Sequence, residues 1–220
     1  MTERSNRRSS IQTRVAQALH FVEAETGAVV PSIQPTSTYA RDEEYEVRKD
    51  YMYRRDGSQA TEHAEAIIAE LEGAVETLLF ASGMSACTAV IEHLPAGAHL
   101  VVPKVMYHGV LDQIQRFEAK KRIAVSSYTA GNHDELAAAV RPGETKLVWE
   151  ETPNNPNWEV TDIAAAADIA HQAGAKLMSD CTGTPPNLTR ALDFGADFSF
   201  HSATKYLNGH SDITAGALSV

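Results

Sequence analysis

Lys205 stands in the run His201-Ser202-Ala203-Thr204-Lys205-Tyr206, close behind two hydroxyl residues and just beyond the apolar Phe198-Ser199-Phe200. A partly desolvated lysine amine condenses with a carbonyl to form a Schiff base and so becomes a covalent catalyst. Ser202 and Thr204 suit a carbonyl compound that also carries a phosphate, such as pyridoxal phosphate. Their hydroxyls donate to the phosphate while the amine holds the aldehyde carbon. Taken alone, the same string also describes a solvated lysine beside a strand end.

Two further sites bear on that choice. Asp180 closes the run Lys176-Leu177-Met178-Ser179, after a helical pattern over 163–173 and the stop Gly174. The C-terminal end of a parallel strand is where open α/β sheets bind ligands, and an acid there keeps a pyridine nitrogen protonated. A turn or N-cap residue is the other reading of Asp180. Upstream, Ser82-Gly83-Met84-Ser85 follows the strand-like Thr77–Phe80 and opens a helix through Val90 and His93. A glycine at such a turn lets backbone N–H groups approach an anion at the positive end of the helix. No G-x-x-x-x-G-K-[ST] string occurs, so a P-loop is excluded.

Taken in order, these and other motifs resemble the Cys/Met-metabolism family of pyridoxal-phosphate enzymes: cystathionine γ-synthases, cystathionine lyases, methionine γ-lyases and homoserine sulfhydrylases. Tyr53-Arg54-Arg55 is similar to a Y-x-R element, and Glu70-Leu71-Glu72-Gly73 to the end of the helix behind it. Ser82-Gly83-Met84 resembles the S-G-M loop, and Tyr107-His108-Gly109 a Y-G element. Glu151-Thr152-Pro153-Asn154-Asn155-Pro156 resembles E-[ST]-P-x-N-P, with Val160-Thr161-Asp162-Ile163 behind it. Asp180-Cys181-Thr182 resembles D-N-T, and His201–Tyr206 the lysine signature.

The resemblance implies a role for each matching position. Lys205 forms the Schiff base and shuttles protons, with Tyr107 stacking on the ring and assisting. Asp180 pairs with the ring nitrogen, Asn155 meets the phenolic oxygen, and Thr182 lies against the cofactor. Gly83, Met84, Ser202 and Thr204 hold the phosphate. Tyr53 and Arg55 reach the phosphate of a neighbouring subunit, so a homo-oligomer is implied, a dimer or a dimer of dimers. The implied activity is γ-elimination or γ-replacement on a cystathionine, methionine or O-activated homoserine substrate. A catalytically degenerate or incomplete subunit with a structural role is the alternative. Three places depart from the family pattern: Ser58-Gln59-Ala60 for N-P-T, Gly183 for an aromatic, and Pro185-Pro186-Asn187-Leu188 for T-P-Y-L.

The elements that must position these residues alternate. A helix from Thr61 presents Ala64, Ile67, Ile68 and Leu71 on one face and stops at Gly73. Strand-like runs are Thr77–Phe80, Leu100–Val102, Ile123–Ser126, Leu147–Trp149, Leu177–Ser179 and Phe198–Phe200, with helices over 134–140 and 162–173 among them. This alternation predicts an α/β fold, a mostly parallel sheet with helices on both faces. It agrees with the aspartate-aminotransferase-like (fold type I) large domain that the resemblance implies. The expected organisation is an N-terminal arm over 1–56, serving a neighbouring active site, and a cofactor-binding large domain over 57–220. The family's C-terminal small domain is expected to be absent from this chain. The run Ala215–Val220 reads as one more core strand, whose neighbours are expected from a longer protein or a partner chain.

Bulk features constrain partners. Nineteen basic and 29 acidic residues give a net charge of −10, which disfavours nucleic acid and anionic membranes. No stretch of about 18 apolar residues predicts a membrane span. Arg4, Arg7 and Arg8 read as part of a solvated arm rather than a targeting segment. Cys87 and Cys181 give no disulfide or zinc pattern and suit a reducing cytoplasm, with Cys181 read as a small core residue. A metal hydrolase built on Asp180, His201, His210 and Asp212 lacks any H-x-x-x-H spacing.

Overall fold

The computed structural model describes residues 10–48 and 51–220. Arg4, Arg7 and Arg8 lie outside the described residues. The chain divides into two compact units, one up to Ile67 and one from Ile68 to Val220. The boundary falls inside a helix, beyond the predicted end of the arm at residue 56.

The first unit contains α1 (Ile11–Ala16) and most of α2 (Gln59–Glu72). Ser58 starts α2: its hydroxyl accepts the Thr61 N–H at 3.3 Å and its carbonyl the Glu62 N–H at 3.0 Å. Gly73 stops the helix with φ +70°, in the left-handed region where a side chain is penalised. Ala64, Ile67, Ile68 and Leu71 are only half-buried, whereas Glu72 is fully buried.

The second unit is a seven-stranded sheet. Its strands are β1 (Thr77–Phe80), β2 (Ala98–Pro103), β3 (Ile123–Tyr128), β4 (Thr145–Glu151), β5 (Lys176–Asp180), β6 (Phe198–His201) and β7 (Gly216–Ser219). They lie in the order β1-β7-β6-β5-β4-β2-β3. Pairings among β2 to β6 are parallel, while β7 runs antiparallel to both its neighbours. The last strand therefore finds its two neighbours, β1 and β6, within this same chain.

Alternate residues of the central strands feed two cores, as a sheet covered on both faces requires. Leu100, Val102, Leu147, Trp149, Met178 and Phe200 pack on one face with α3 (Gly83–His93) and α4 (His108–Ala119). Val101, Val148 and Leu177 pack on the other with α5 (His133–Ala139) and α6 (Ile163–Gln172). The register places Glu151 beside Asp180 and Asp180 beside Phe200. The C-terminal ends of β1, β2, β4, β5 and β6 therefore share one edge of the sheet.

The opposite edge carries a pH-dependent element. His99 is 2% exposed, with Nδ1 2.8 Å from the Thr145 hydroxyl and Nε2 2.9 Å from that of Ser126. Burial, then the nearby Arg141, lowers its pKa below the ordinary 6.5. The unfolded chain therefore binds the proton more readily, and stability is lost as pH falls through that ordinary value towards the folded one. Between about pH 8 and about pH 5 the denaturation midpoint should fall less steeply for His99→Gln than for the native chain. Parallel profiles would remove His99 as the cause.

Candidate active site

Each strand end at the shared edge hands its chain to a loop that carries a candidate residue. After β1, Ser82 caps α3: its hydroxyl accepts the Ser85 N–H at 3.0 Å and its carbonyl the Ala86 N–H at 3.2 Å. The N–H groups of Gly83 and Met84 are thereby left as the unsatisfied donors of the first turn. A Cβ on Gly83 would lie 3.0 Å from the Ser202 hydroxyl, so the first-turn donors and the residue after β6 sit together.

The start of β7 closes this cradle from the side. A Cβ on Gly216 would lie 2.4 Å from the Ser82 carbonyl oxygen and 2.9 Å from the Gly83 Cα, both backbone atoms. Gly216→Ala should therefore push the Ser82–Gly83 turn away and cost about 1–3 kcal/mol, the usual range for overpacking. Chemical denaturation checks this, and an unchanged midpoint would show that the turn yields freely.

Lys205 lies in the turn over 203–208, with its N–H on the Ser202 carbonyl at 3.0 Å. The residue is exposed, and its amine has no partner among the described residues. The Ser202 hydroxyl is likewise unpartnered among them, and its N–H donates to the Thr182 hydroxyl at 2.8 Å. Thr204 is differently placed. Its hydroxyl donates to the Ala215 carbonyl at 3.2 Å and accepts the Ala215 N–H at 3.0 Å, bracing the lysine turn against β7.

Asp180 is 4% exposed, and its Oδ1 accepts the Thr182 N–H at 3.0 Å. Burial raises its pKa, against the pull of the Thr182 hydroxyl and N–H and of the His201 ring. No lysine or arginine pairs with it among the described residues. Beside it, Glu151 is 5% exposed and accepts the Tyr107 N–H at 2.8 Å on Oε2 and the Asn155 N–H at 3.0 Å on Oε1. Burial first, then Asp180, pushes Glu151 up to about 7. Tyr107 is the N-cap residue of α4, and its ring lies where a Gly109 Cβ would come within 2.8 Å of it. Asn155 is exposed, while Asn154 is buried and donates to the Val105 carbonyl and to Glu159, each at 3.1 Å.

On the other face of the same strand ends lies a buried polar group. His201 Nε2 is 2.5 Å from Glu72 Oε1, with side chains 2% and 0% exposed. The Ser179 hydroxyl donates to Glu150, which burial pushes up to about 8. Cys181 is fully buried beside Ser179, and burial raises its thiol pKa, so it is a core residue as the sequence suggests.

The structure thus places Gly83, Met84, Tyr107, Asn155, Asp180, Thr182, Ser202, Thr204 and Lys205 at the strand ends, or in the turns and helix starts just beyond them, along one edge of the second unit. Tyr53 and Arg55 belong to the first unit, where the Arg55 guanidinium lies 4.8 Å from the centre of the Tyr53 ring and both residues are exposed. Two of the residues weighed for a metal have other partners. His201 is committed to Glu72, His210 to the Asn208 carbonyl at 2.8 Å, and no group of ligands forms among the described residues. Sequence reasoning took Glu151 only as part of a motif. The rule that singled out Asp180, an acid at the end of a buried strand, applies to it equally.

Comparison with known proteins places these features in context. A family model described as Cys/Met metabolism PLP-dependent enzyme (PLP, pyridoxal phosphate) matches residues 12–220. The chain is 35% identical over 219 residues to a cystathionine beta-lyase of Coxiella burnetii, covering 98% of this chain and 56% of that protein. It is 34% identical over 207 residues to a cystathionine gamma-synthase of Mycobacterium tuberculosis, covering 94% and 53%. Among solved structures, cystathionine gamma synthase from Xanthomonas oryzae pv. oryzae, in complex with aminoacrylate and cysteine, matches with a TM-score of 0.91 and 32% identity. That match covers 97% of this chain and 55% of the other. The chain spans about half the length of the curated relatives it matches.

Proposed function

Because this chain belongs to the Cys/Met-metabolism family of PLP-dependent enzymes, we propose that it is the cofactor-binding part of an enzyme of sulfur amino-acid metabolism. Its substrate is a cystathionine, methionine or O-activated homoserine, and the reaction is γ-elimination or γ-replacement. The buried Asp180 carboxylate, without a lysine or arginine partner among the described residues, carries the reading. A buried anion needs a cationic partner, and a protonated ring nitrogen is one.

The residues fit the group. Asp180 holds the ring N–H. The Gly83 and Met84 N–H groups and the Ser202 hydroxyl donate to the phosphate, in the cradle that glycine at 83 and 216 keeps open. Thr182 links Asp180 to Ser202, and Thr204 fixes the lysine turn through Ala215. Tyr107 would stack on the ring and Asn155 would contact its phenolic oxygen, as the family resemblance implies. Bound pyridoxal phosphate supplies an aldehyde that condenses with amines and a ring that accepts electron density from the substrate Cα. Lys205 Nζ provides the covalent attachment and, once free, takes and returns protons at the substrate carbons.

Tyr53 and Arg55, exposed and stacked on each other, serve the phosphate of a second copy, and the working form is a homo-oligomer, a dimer or a dimer of dimers. No helix among the described residues is long and apolar enough to cross a membrane. Cys87 and Cys181 are both free and buried, which suits the cytoplasm. A structural subunit without activity is disfavoured by retention of both Lys205 and Asp180. The test is to incubate the purified full-length protein, loaded with pyridoxal phosphate, with each candidate substrate, with and without a thiol acceptor. Release of a 2-oxo acid or formation of a thioether supports the reading, and inertness towards all of them contradicts it.

A further inference from the structure

We propose that Glu151 is a positioning residue, whose carboxylate clamps the Tyr107 and Asn155 loops beside Asp180 and so sets the two cofactor-facing side chains before the cofactor enters. This rests on the reading that the site binds pyridoxal phosphate.

Tyr107 opens α4 and Asn155 lies in the loop behind β4, 48 positions further along the chain. Both residues are exposed and neither side chain has a hydrogen-bond partner among the described residues; the Tyr107 ring touches only its own neighbours, His108 at 4.8 Å between ring centres and the open Cα of Gly109, so its direction follows the backbone that carries it. What the loops share is one carboxylate. Glu151 Oε2 takes the Tyr107 N–H at 2.8 Å and Oε1 the Asn155 N–H at 3.0 Å. Tyr107 supplies no side-chain cap to α4, so its own backbone anchor is what seats the start of that helix. The β4–β5 register then sets Glu151 next to Asp180, which ties both loops to the acid that holds the ring nitrogen. The two backbone N–H groups themselves favour the ionised form of Glu151 against burial, and above about pH 7, where it is a carboxylate, a charged acceptor makes short, strong bonds to them, stiffer than a loop–water contact.

The proposal has a sharp substitution. Glu151→Gln keeps one acceptor oxygen but turns an NH2 donor towards one of the two N–H groups, so one loop is released. Affinity of the full-length protein for pyridoxal phosphate should fall about ten- to a hundredfold, the loss of one charge-assisted hydrogen bond. The circular dichroism of the bound cofactor should change in intensity per bound molecule, because the groups around the ring are reoriented. Glu135 is a matched control outside the site, since it accepts the Thr129 N–H at 2.9 Å from the start of α5. Glu135→Gln should leave cofactor affinity unchanged.

Wild-type affinity and dichroism in Glu151→Gln would overturn the proposal. So would an affinity loss with a dichroism band per bound cofactor identical to wild type, accompanied by a matching loss of stability in the cofactor-free protein. If Glu151→Gln fails to fold, hydrogen exchange of the cofactor-free native protein decides instead. The Tyr107 and Asn155 amides should exchange slowly despite the exposure of both residues, and exchange at the rate of free loop amides would overturn the clamp. Failure of native protein to trap the cofactor on Lys205 would refute the cofactor reading, while amide protection would still report on the clamp.

Discussion

Lys205→Ala should lose turnover by at least about a thousandfold while the protein folds normally. Proton transfer by a positioned side chain alone contributes about 10²–10⁴-fold, and this lysine also carries the covalent attachment. The residue is exposed, and its amine has no partner among the described residues, so alanine deletes no contact that holds the fold. Stability should therefore change by no more than about 0.5 kcal/mol. The variant should still bind pyridoxal phosphate, held by the cradle and Asp180, but borohydride should leave no pyridoxyl group on the chain. Steady-state rates and peptide mass mapping on the same preparation separate these effects. A variant that keeps half of native turnover would remove Lys205 from the chemistry.

His201→Ala should produce the largest loss of stability of any change considered, about 3–5 kcal/mol, the cost of breaking one side of a buried pair. Glu72 Oε1 lies 2.5 Å from the His201 ring and the carboxylate is completely buried, with Oε2 lacking a hydrogen-bond partner. Removing the ring strands that carboxylate and opens space beneath the residue that leads into the lysine turn. The melting temperature should drop by on the order of 10 °C. In the double variant Glu72→Gln/His201→Gln the loss should be smaller, because no unpaired charge remains in the core. Thermal and denaturant unfolding of the two variants beside the native chain measure this. Equal losses in His201→Ala and the double variant would show that the pair contributes only packing.

Much of this was legible from residue order. Periodicity located the six strand-like runs, each of which the structure either reproduces or extends by one or two residues at one or both ends. The continuous apolar runs in β2, β4 and β5 follow from a sheet covered on both faces, and the hydroxyl-rich lysine run sits at a strand end as its neighbours suggest. Other features depend on contacts between distant segments, which leave no local signature. The neighbours of β7 are β1, some 140 residues earlier, and β6, so a strand expected to find partners elsewhere is paired within the chain. The Glu72–His201 pair spans 129 positions, and the Ala215 contacts that occupy the Thr204 hydroxyl depend on where β7 returns. By contrast α4, with Val110 and Ile114 buried one turn apart, carries a local spacing signal that the strand and helix expectations left out. The half-buried face of α2 was predicted as apolar, yet its one fully buried residue is an acid, because Glu72 answers to His201 rather than to a core.

The most direct test of the central reading is the visible absorbance of purified full-length protein with pyridoxal phosphate, before and after borohydride, followed by peptide mass mapping. A visible band that disappears on reduction, with one pyridoxyl group on Lys205, is the expected result. A colourless protein that stays unmodified in excess pyridoxal phosphate, or a label spread over surface lysines such as Lys104 and Lys176, would contradict it.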